Sequence, residues 1–199
     1  MKHLPNILTV GRLILSLLMF AALAAIGSGV AVHTAVLLPR FAIAAFVVAA
    51  LTDFFDGWLA RRWNAVSLMG AILDPIGDKI LVCGAVLGLA SVLAPGVLIP
   101  GALILFREFA VSALREVLAP RGIKLPVTFL AKTKTTLQLV ALGALMFIWF
   151  WPAWGPRMDI AALHTAYGWA EALLDLAALV TLWTGAEYAL AARKALKPA

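Results

Sequence analysis

The chain has 199 residues, 64% of them hydrophobic and 13% charged, with a formal charge of +6. A soluble domain carries about a quarter charged residues, so this composition excludes a water-soluble globule and makes lipid the solvent. The basic residues lie between apolar runs, which points to anionic headgroups and phosphorylated substrates as partners and away from nucleic acid.

In chain order, residues 3–12 are expected to form a short interfacial helix leading into a first span. Pro5 and Asn6 come almost at once and no small-residue cleavage site precedes them, so no cleavable signal is expected. About six transmembrane helices follow, at roughly 11–30, 35–62, 69–94, 97–118, 127–151 and 162–193, each needing about 20 mostly apolar residues. The breaks between them are Gly27-Ser28-Gly29, Asn64, Pro95-Gly96, Pro120-Arg121-Gly122 and the run from Pro152 to Pro156. The expected fold is an all-α polytopic membrane protein in one domain, 1–199.

Lys2, Arg12, Arg61, Arg62, Arg121, Lys124, Lys132, Lys134, Arg193, Lys194 and Lys197 all fall at alternate ends of these spans. The links at 28–34 and 94–97 carry no Lys or Arg, and 152–161 carries only Arg157. This asymmetry places both termini and the links 62–69 and 119–127 in the cytoplasm. Trp149, Trp151 and Trp154 then anchor the outer face, and Trp58 and Trp63 the inner one.

The second and third spans hold four carboxylates, Asp53, Asp56, Asp74 and Asp78. Unpaired charge at membrane depth costs several kcal/mol, so such groups line aqueous sites or meet partners. Asp53 and Asp56 are three apart and Asp74 and Asp78 four apart, so each pair shares a helix face, with Gly70 on the stripe of the second pair. Gly57 and Ala60 leave room beside the first pair. Facing carboxylates repel unless cations join them, and oxygen donors suit magnesium or manganese better than zinc. The residues themselves therefore describe a membrane-embedded site for a phosphate-bearing substrate. Two other readings are ion pairs with Arg61, Arg62 and Lys79, and the ion path of a cation transporter.

The spacing Asp53-x2-Asp56-Gly57-x2-Ala60-Arg61-x8-Gly70-x3-Asp74-x3-Asp78 reproduces the signature of the CDP-alcohol phosphatidyltransferases, and the chain resembles that family over roughly residues 4–145. Three further stretches are similar to motifs of its members that act on a phosphorylated glycerol. They are Pro5-Asn6-Ile7-Leu8-Thr9-x2-Arg12, the run Arg107-Glu108-Phe109-Ala110-Val111-Ser112-Ala113-Leu114-Arg115-Glu116, and Lys132-Thr133-Lys134-Thr135-Thr136-Leu137-Gln138. Ala113 and Ala131 stand where glycine is expected in many members; both remain small.

The resemblance implies a donor, CDP-diacylglycerol, an acceptor, sn-glycerol 3-phosphate, and homodimers among membrane lipids in a bacterial inner membrane. It implies Asp53, Asp56, Asp74 and Asp78 as ligands of Mg2+ or Mn2+, with Asp78 also the general base. Asn6, Gly57, Ala60, Arg61 and Gly70 correspond to the donor site. Arg107, Arg115, Lys132, Lys134 and Thr135 correspond to the acceptor site.

Arg107 and Arg115 are eight apart, about two turns, on one face of the fourth span. They either meet substrate or pair with Glu108 or Glu116, and Lys132 and Lys134 either meet substrate or only set orientation. Cys83 reads as a small core residue, and Glu171, Asp175 and Glu187 take no assigned chemistry.

Overall fold

Six long helices form where the apolar runs predict them: α1 (Leu4–Gly27), α2 (Leu37–Trp63), α3 (Leu68–Ser91), α4 (Leu98–Leu118), α5 (Phe129–Trp149) and α6 (Ile160–Ala195). The computed structural model describes residues 4–29, 36–63, 68–121 and 129–196, and among these not the side chains of 4–7, 53–63, 68–72, 74, 75, 78, 121 and 129–132. Among the described residues there is no β-strand. Pro5, Pro39 and Pro100 each fall in the first turn of a helix, where a missing N–H forfeits no intrahelical bond.

One expectation changes here. The separate interfacial helix at 3–12 and the first span are a single helix, α1. Nothing between Pro5 and Gly27 stops helix propagation, since a lone Gly11 is tolerated. At 24 residues α1 is about 36 Å long, against a hydrocarbon core of about 30 Å, so its first turns reach past that core while staying in register with the rest.

The helices pack as two groups of three. α1 lies against α2 and α3; α6 lies against α4 and α5; the groups meet through α3–α4, α2–α5 and α3–α5. Small residues allow the closest approaches. Along the α1–α3 contact Arg12 faces Gly77, Met19 faces Gly84 and Leu23 faces Gly88. The constant offset means that α1 and α3 run parallel, as the first and third helices of an up-and-down bundle do. At Gly88 a β-carbon would collide with Leu23 Cδ1, so glycine lets the two helices approach this closely without displacing the Leu23 side chain.

α3 ends in a Schellman-type turn. The Ala94 N–H donates to Leu89 O at 3.1 Å across Leu93, whose φ is 55°, and Gly96 follows at φ 67°. This reverses the chain into α4. At the same end of the bundle Tyr167 Oη donates to Pro95 O at 2.9 Å and Arg40 Nε donates to Ala153 O at 2.6 Å. The links 92–97 and 150–159 therefore share one end, as the charge pattern requires. Arg40 is a basic residue at that otherwise cation-poor end, and the sequence reading passed over it.

The core is wholly apolar at its centre, with Leu81, Leu89, Ile104, Leu142, Leu145, Met146 and Leu174 inaccessible or nearly so. The outer surface is apolar too: Phe106 and Trp169 are 74% exposed and Trp183 65%. That surface suits lipid rather than water. Among the described residues, Leu8–Gly27 and Ile160–Ala195 are long and apolar enough to cross a membrane. The described parts of α2, α3 and α5 include the apolar stretches Leu37–Thr52, Lys79–Ser91 and Thr133–Trp149.

Candidate active site

The signature residues sit on regular helix. Asp53, Asp56, Gly57, Ala60 and Arg61 belong to α2, and Gly70, Asp74 and Asp78 to α3. Helical backbone keeps the members of each acidic pair on one face. The side chains of these residues, and of Asn6 and Lys132, lie outside the described residues.

Their nearest described landmark is Gly77, between Asp74 and Asp78. A β-carbon at Gly77 would lie 2.8 Å from Arg12 Nη2, and Arg12 itself is 1% exposed. Thr9, Arg12 and Ser16 form a buried polar stripe on α1, with Ser16 Oγ donating to Arg12 O at 2.8 Å. α1 thus delivers a guanidinium to the turn of α3 that carries two of the acids. The donor set along α2 and α3 is carboxylate oxygen, which fits a hard divalent cation such as magnesium or manganese. Among the described residues no group of three or more metal-ligating side chains gathers elsewhere.

The second polar region is a seam between α4, α5 and α6. Glu108 is its centre: one carboxylate oxygen accepts from Arg107 Nη1 at 3.2 Å, from Lys134 Nζ, and from Gln138 Nε2 at 3.4 Å. α6 closes the seam. Arg107 Nη2 donates to Thr184 Oγ1 at 2.9 Å, Gln138 Nε2 to Thr181 Oγ1 at 2.7 Å, and Arg115 Nη2 to Tyr188 Oη at 2.7 Å. Gly185 lets the α6 backbone pass Arg107, since a β-carbon there would stand 2.8 Å from Arg107 Cγ. Arg107 Nε is buried against this backbone with no hydrogen-bond partner.

Both readings of Arg107 were open in the sequence, and the structure gives it the Glu108 ion pair. Lys134 is buried in the same ion pair and so does more than set orientation. Arg115 is exposed, and Tyr188 rather than Glu116 is its partner. Thr135, also expected in the acceptor site, is half-buried on α5.

Thr181, Thr184 and Tyr188 were missed. Their signal was a polar stripe at three- and four-residue steps in an apolar helix, overlooked because the conspicuous acids of α6 drew attention instead. Those acids lie elsewhere: Asp175 is exposed, Glu187 accepts from Trp183 Nε1 at 3.1 Å, and Glu171 packs on Gly96.

Cys83 is half-buried rather than in the core, and with Lys79, Ser112 and Glu116 it lines an open groove of about 470 Å3 between α3 and α4.

Comparison with known proteins shows the family. The family model for CDP-alcohol phosphatidyltransferase matches residues 2–184. A Cereibacter sphaeroides protein named CDP-diacylglycerol--glycerol-3-phosphate 3-phosphatidyltransferase is 50% identical over 107 residues, 53% of this chain and 48% of that relative. An Escherichia coli K12 protein of the same name is 41% identical over 162 residues, 78% of this chain and 80% of the relative. A Shigella flexneri protein, again so named, is 40% identical over 158 residues, with the same coverage. The match thus spans about half the length of the first relative and four-fifths of the other two. With the signature on α2 and α3 and the family match running from α1 into α6, the chain belongs to the CDP-alcohol phosphatidyltransferase family.

Proposed function

We propose that this chain transfers the phosphatidyl group of CDP-diacylglycerol to sn-glycerol 3-phosphate, giving phosphatidylglycerophosphate and CMP. The observation that carries this reading is the charge of the α4–α6 seam. Arg107 and Lys134 pair with a single carboxylate, Glu108, and Arg115 shares the Tyr188 ring with Arg107, so the described seam holds two positive charges in excess. One of the two is buried, since Arg107 and Lys134 share the one carboxylate of Glu108, and a buried unmatched charge calls for an anion. A phosphate monoester, with a second pKa of about 6, supplies two negative charges at neutral pH. The names of the relatives supply the same substrate pair.

In the proposed reaction the acceptor's C1 hydroxyl oxygen bonds to the phosphorus that bears diacylglycerol. The bond from that phosphorus to the CMP oxygen breaks, and the hydroxyl proton passes to the Asp78 carboxylate. Asn6, Gly57, Ala60, Arg61 and Gly70 hold the nucleotide and diphosphate of the donor. Arg107, Arg115, Lys132, Lys134 and Thr135 orient the acceptor. Magnesium or manganese, held by Asp53, Asp56, Asp74 and Asp78, would neutralise the diphosphate and the departing CMP.

The same reading makes all six helices transmembrane, with both termini and the site on the cytoplasmic face of a bacterial inner membrane. Donor tails then stay in lipid while the soluble acceptor arrives from water. The resemblance also supports a homodimer.

Two experiments test this. Purified protein in detergent, given CDP-diacylglycerol, should release CMP with glycerol 3-phosphate and not with serine, inositol phosphate or phosphatidylglycerol; release with serine alone would overturn the acceptor assignment. A reporter fused after Ala199 should report cytoplasm and one inserted near Gly155 the opposite side, and the reverse pattern would overturn the orientation.

A further inference from the structure

The signature and the three motifs leave α6 without a role, yet one of its side chains touches both arginines of the seam. Tyr188 is 4% exposed. Its hydroxyl accepts from Arg115 Nη2 at 2.7 Å, and its ring lies beneath two guanidiniums, Arg115 Cζ at 4.9 Å from the ring centroid and Arg107 Cζ at 5.6 Å. The two arginines differ in what else restrains them. Arg107 is buried between Glu108, Thr184 and Gly185. Arg115 is exposed, and among the contacts described for it the Tyr188 hydroxyl and ring are the ones that fix its head.

We propose that Tyr188 is a positioning residue for the acceptor phosphate: it holds Arg115 beside Arg107 so that one dianion meets both guanidiniums. The physical case has two parts. A long exposed side chain samples many rotamers, and a hydrogen bond together with a cation–π contact at one head restricts it before substrate arrives. Two like charges over one ring repel, and a bridging dianion relieves that repulsion, so the gain is specific to acceptors that carry a phosphate. Tyr188 thereby serves discrimination against uncharged or zwitterionic alcohols while touching neither the donor nor the reacting atoms. The assignment rests on the seam being the acceptor's phosphate site, as proposed above.

The test is initial-rate kinetics of purified Tyr188→Phe, Tyr188→Leu and Arg115→Ala, with the two substrates titrated separately and inorganic phosphate as competitor. Tyr188→Phe keeps the ring and loses the hydroxyl; its KM for glycerol 3-phosphate should rise ~3–10-fold. Tyr188→Leu loses both contacts and should show a rise of ~10–50-fold. In both, kcat should stay within about twofold of wild type, KM for CDP-diacylglycerol should be unchanged, and inhibition by inorganic phosphate should weaken in parallel with the rise in acceptor KM. A merely structural role would instead move kcat and both KM values together, and that result in the conservative Phe variant overturns the proposal. If Arg115→Ala raises the acceptor KM and neither Tyr188 variant does, the positioning role fails and the phosphate site stands. If Arg115→Ala also leaves the acceptor KM unchanged, the reading of the seam itself fails, and this proposal with it.

Discussion

In the α1–α3 group the acids are concentrated on two consecutive helices, three or four residues apart, and Gly77 between the second pair meets Arg12 of α1. In the α4–α6 group the polar side chains come from three helices: Arg107, Glu108 and Arg115 from α4, Lys134 and Gln138 from α5, and Thr181, Thr184 and Tyr188 from α6. The first arrangement is set by helix geometry alone. The second exists only once α6 has packed across α4 and α5. It also balances its own charges in part, through Glu108, whereas the four acids of the first group need cations from outside their own set. In the proposed function the groups do different work, with charge for chemistry in one and a held, partly neutralised cradle in the other.

The sharpest way to break that division is to remove single charges from the acidic group. Asp78→Asn should lower transfer by roughly two to four orders of magnitude, the usual scale of general-base catalysis, while binding of CDP-diacylglycerol persists. Asp56→Asn should weaken donor binding and turnover together. EDTA should abolish activity, with magnesium or manganese restoring it. Near-normal turnover in Asp78→Asn would move the proton acceptor to water or another acid, and full activity after rigorous metal removal would end the metal-bridged mechanism.

In the α4–α6 group the corresponding change should strike stability first. Glu108→Gln leaves Arg107 and Lys134, both nearly buried, without their shared carboxylate. Removing one partner of a buried ion pair costs about 3–5 kcal/mol. The expected readout is a marked fall in melting temperature in detergent. Added glycerol 3-phosphate should stabilise this variant more than wild type, because a bound dianion replaces the missing charge. An unchanged melting temperature would show that Glu108 is not the centre of the seam.

The same contrast explains what was legible. Helix positions followed from apolar runs and from proline and glycine, since in lipid each backbone must satisfy itself within its own helix. The acidic signature was legible because its spacing is local to α2 and α3. Arg12 was visible through a motif and the charge pattern; that its guanidinium lies over Gly77 is a matter of helix register, which no local pattern encodes. Thr181, Thr184 and Tyr188 were illegible for a related reason. Threonine and tyrosine are ordinary residues in a span, and they gain meaning only from Gln138, Arg107 and Arg115, between 43 and 77 residues away. The division into an interfacial helix at 3–12 and a first span does not hold because no residue between Pro5 and Gly27 stops the helix.

A smaller effect is expected at the α1–α3 crossing. Gly88→Val would push a branched side chain into Leu23, and overpacking of this kind costs about 1–3 kcal/mol. Because Arg12 and Gly77 lie on the same contact, the displacement should also reach the acidic group and lower kcat more than it raises the acceptor KM. A rise in acceptor KM alone would mean that the two groups do not divide the work as described.

The smallest effect should come from the far end of the bundle. Arg40 begins α2, in the first group, and donates through Nε to Ala153 O, in the link that precedes α6 of the second. It is a polar tie between the groups, and the 113 residues it spans make it a long-range one. Arg40→Gln removes the guanidinium, whose bond is worth at most about 1.5 kcal/mol in a part-exposed setting, so the melting temperature should fall by only a few degrees. Kinetics are the more telling measurement. The acids and the seam lie toward the opposite ends of their helices, and the contact between the groups at mid-depth is apolar, as where Phe46 meets Gly143. Close packing there, rather than the Arg40 tie, should hold the groups in register, leaving kcat and both KM values unchanged in Arg40→Gln. A large kinetic change would mean that the relative placement of the groups is set from the far end, and the comparison of two self-contained polar regions would then give way to a single coupled one.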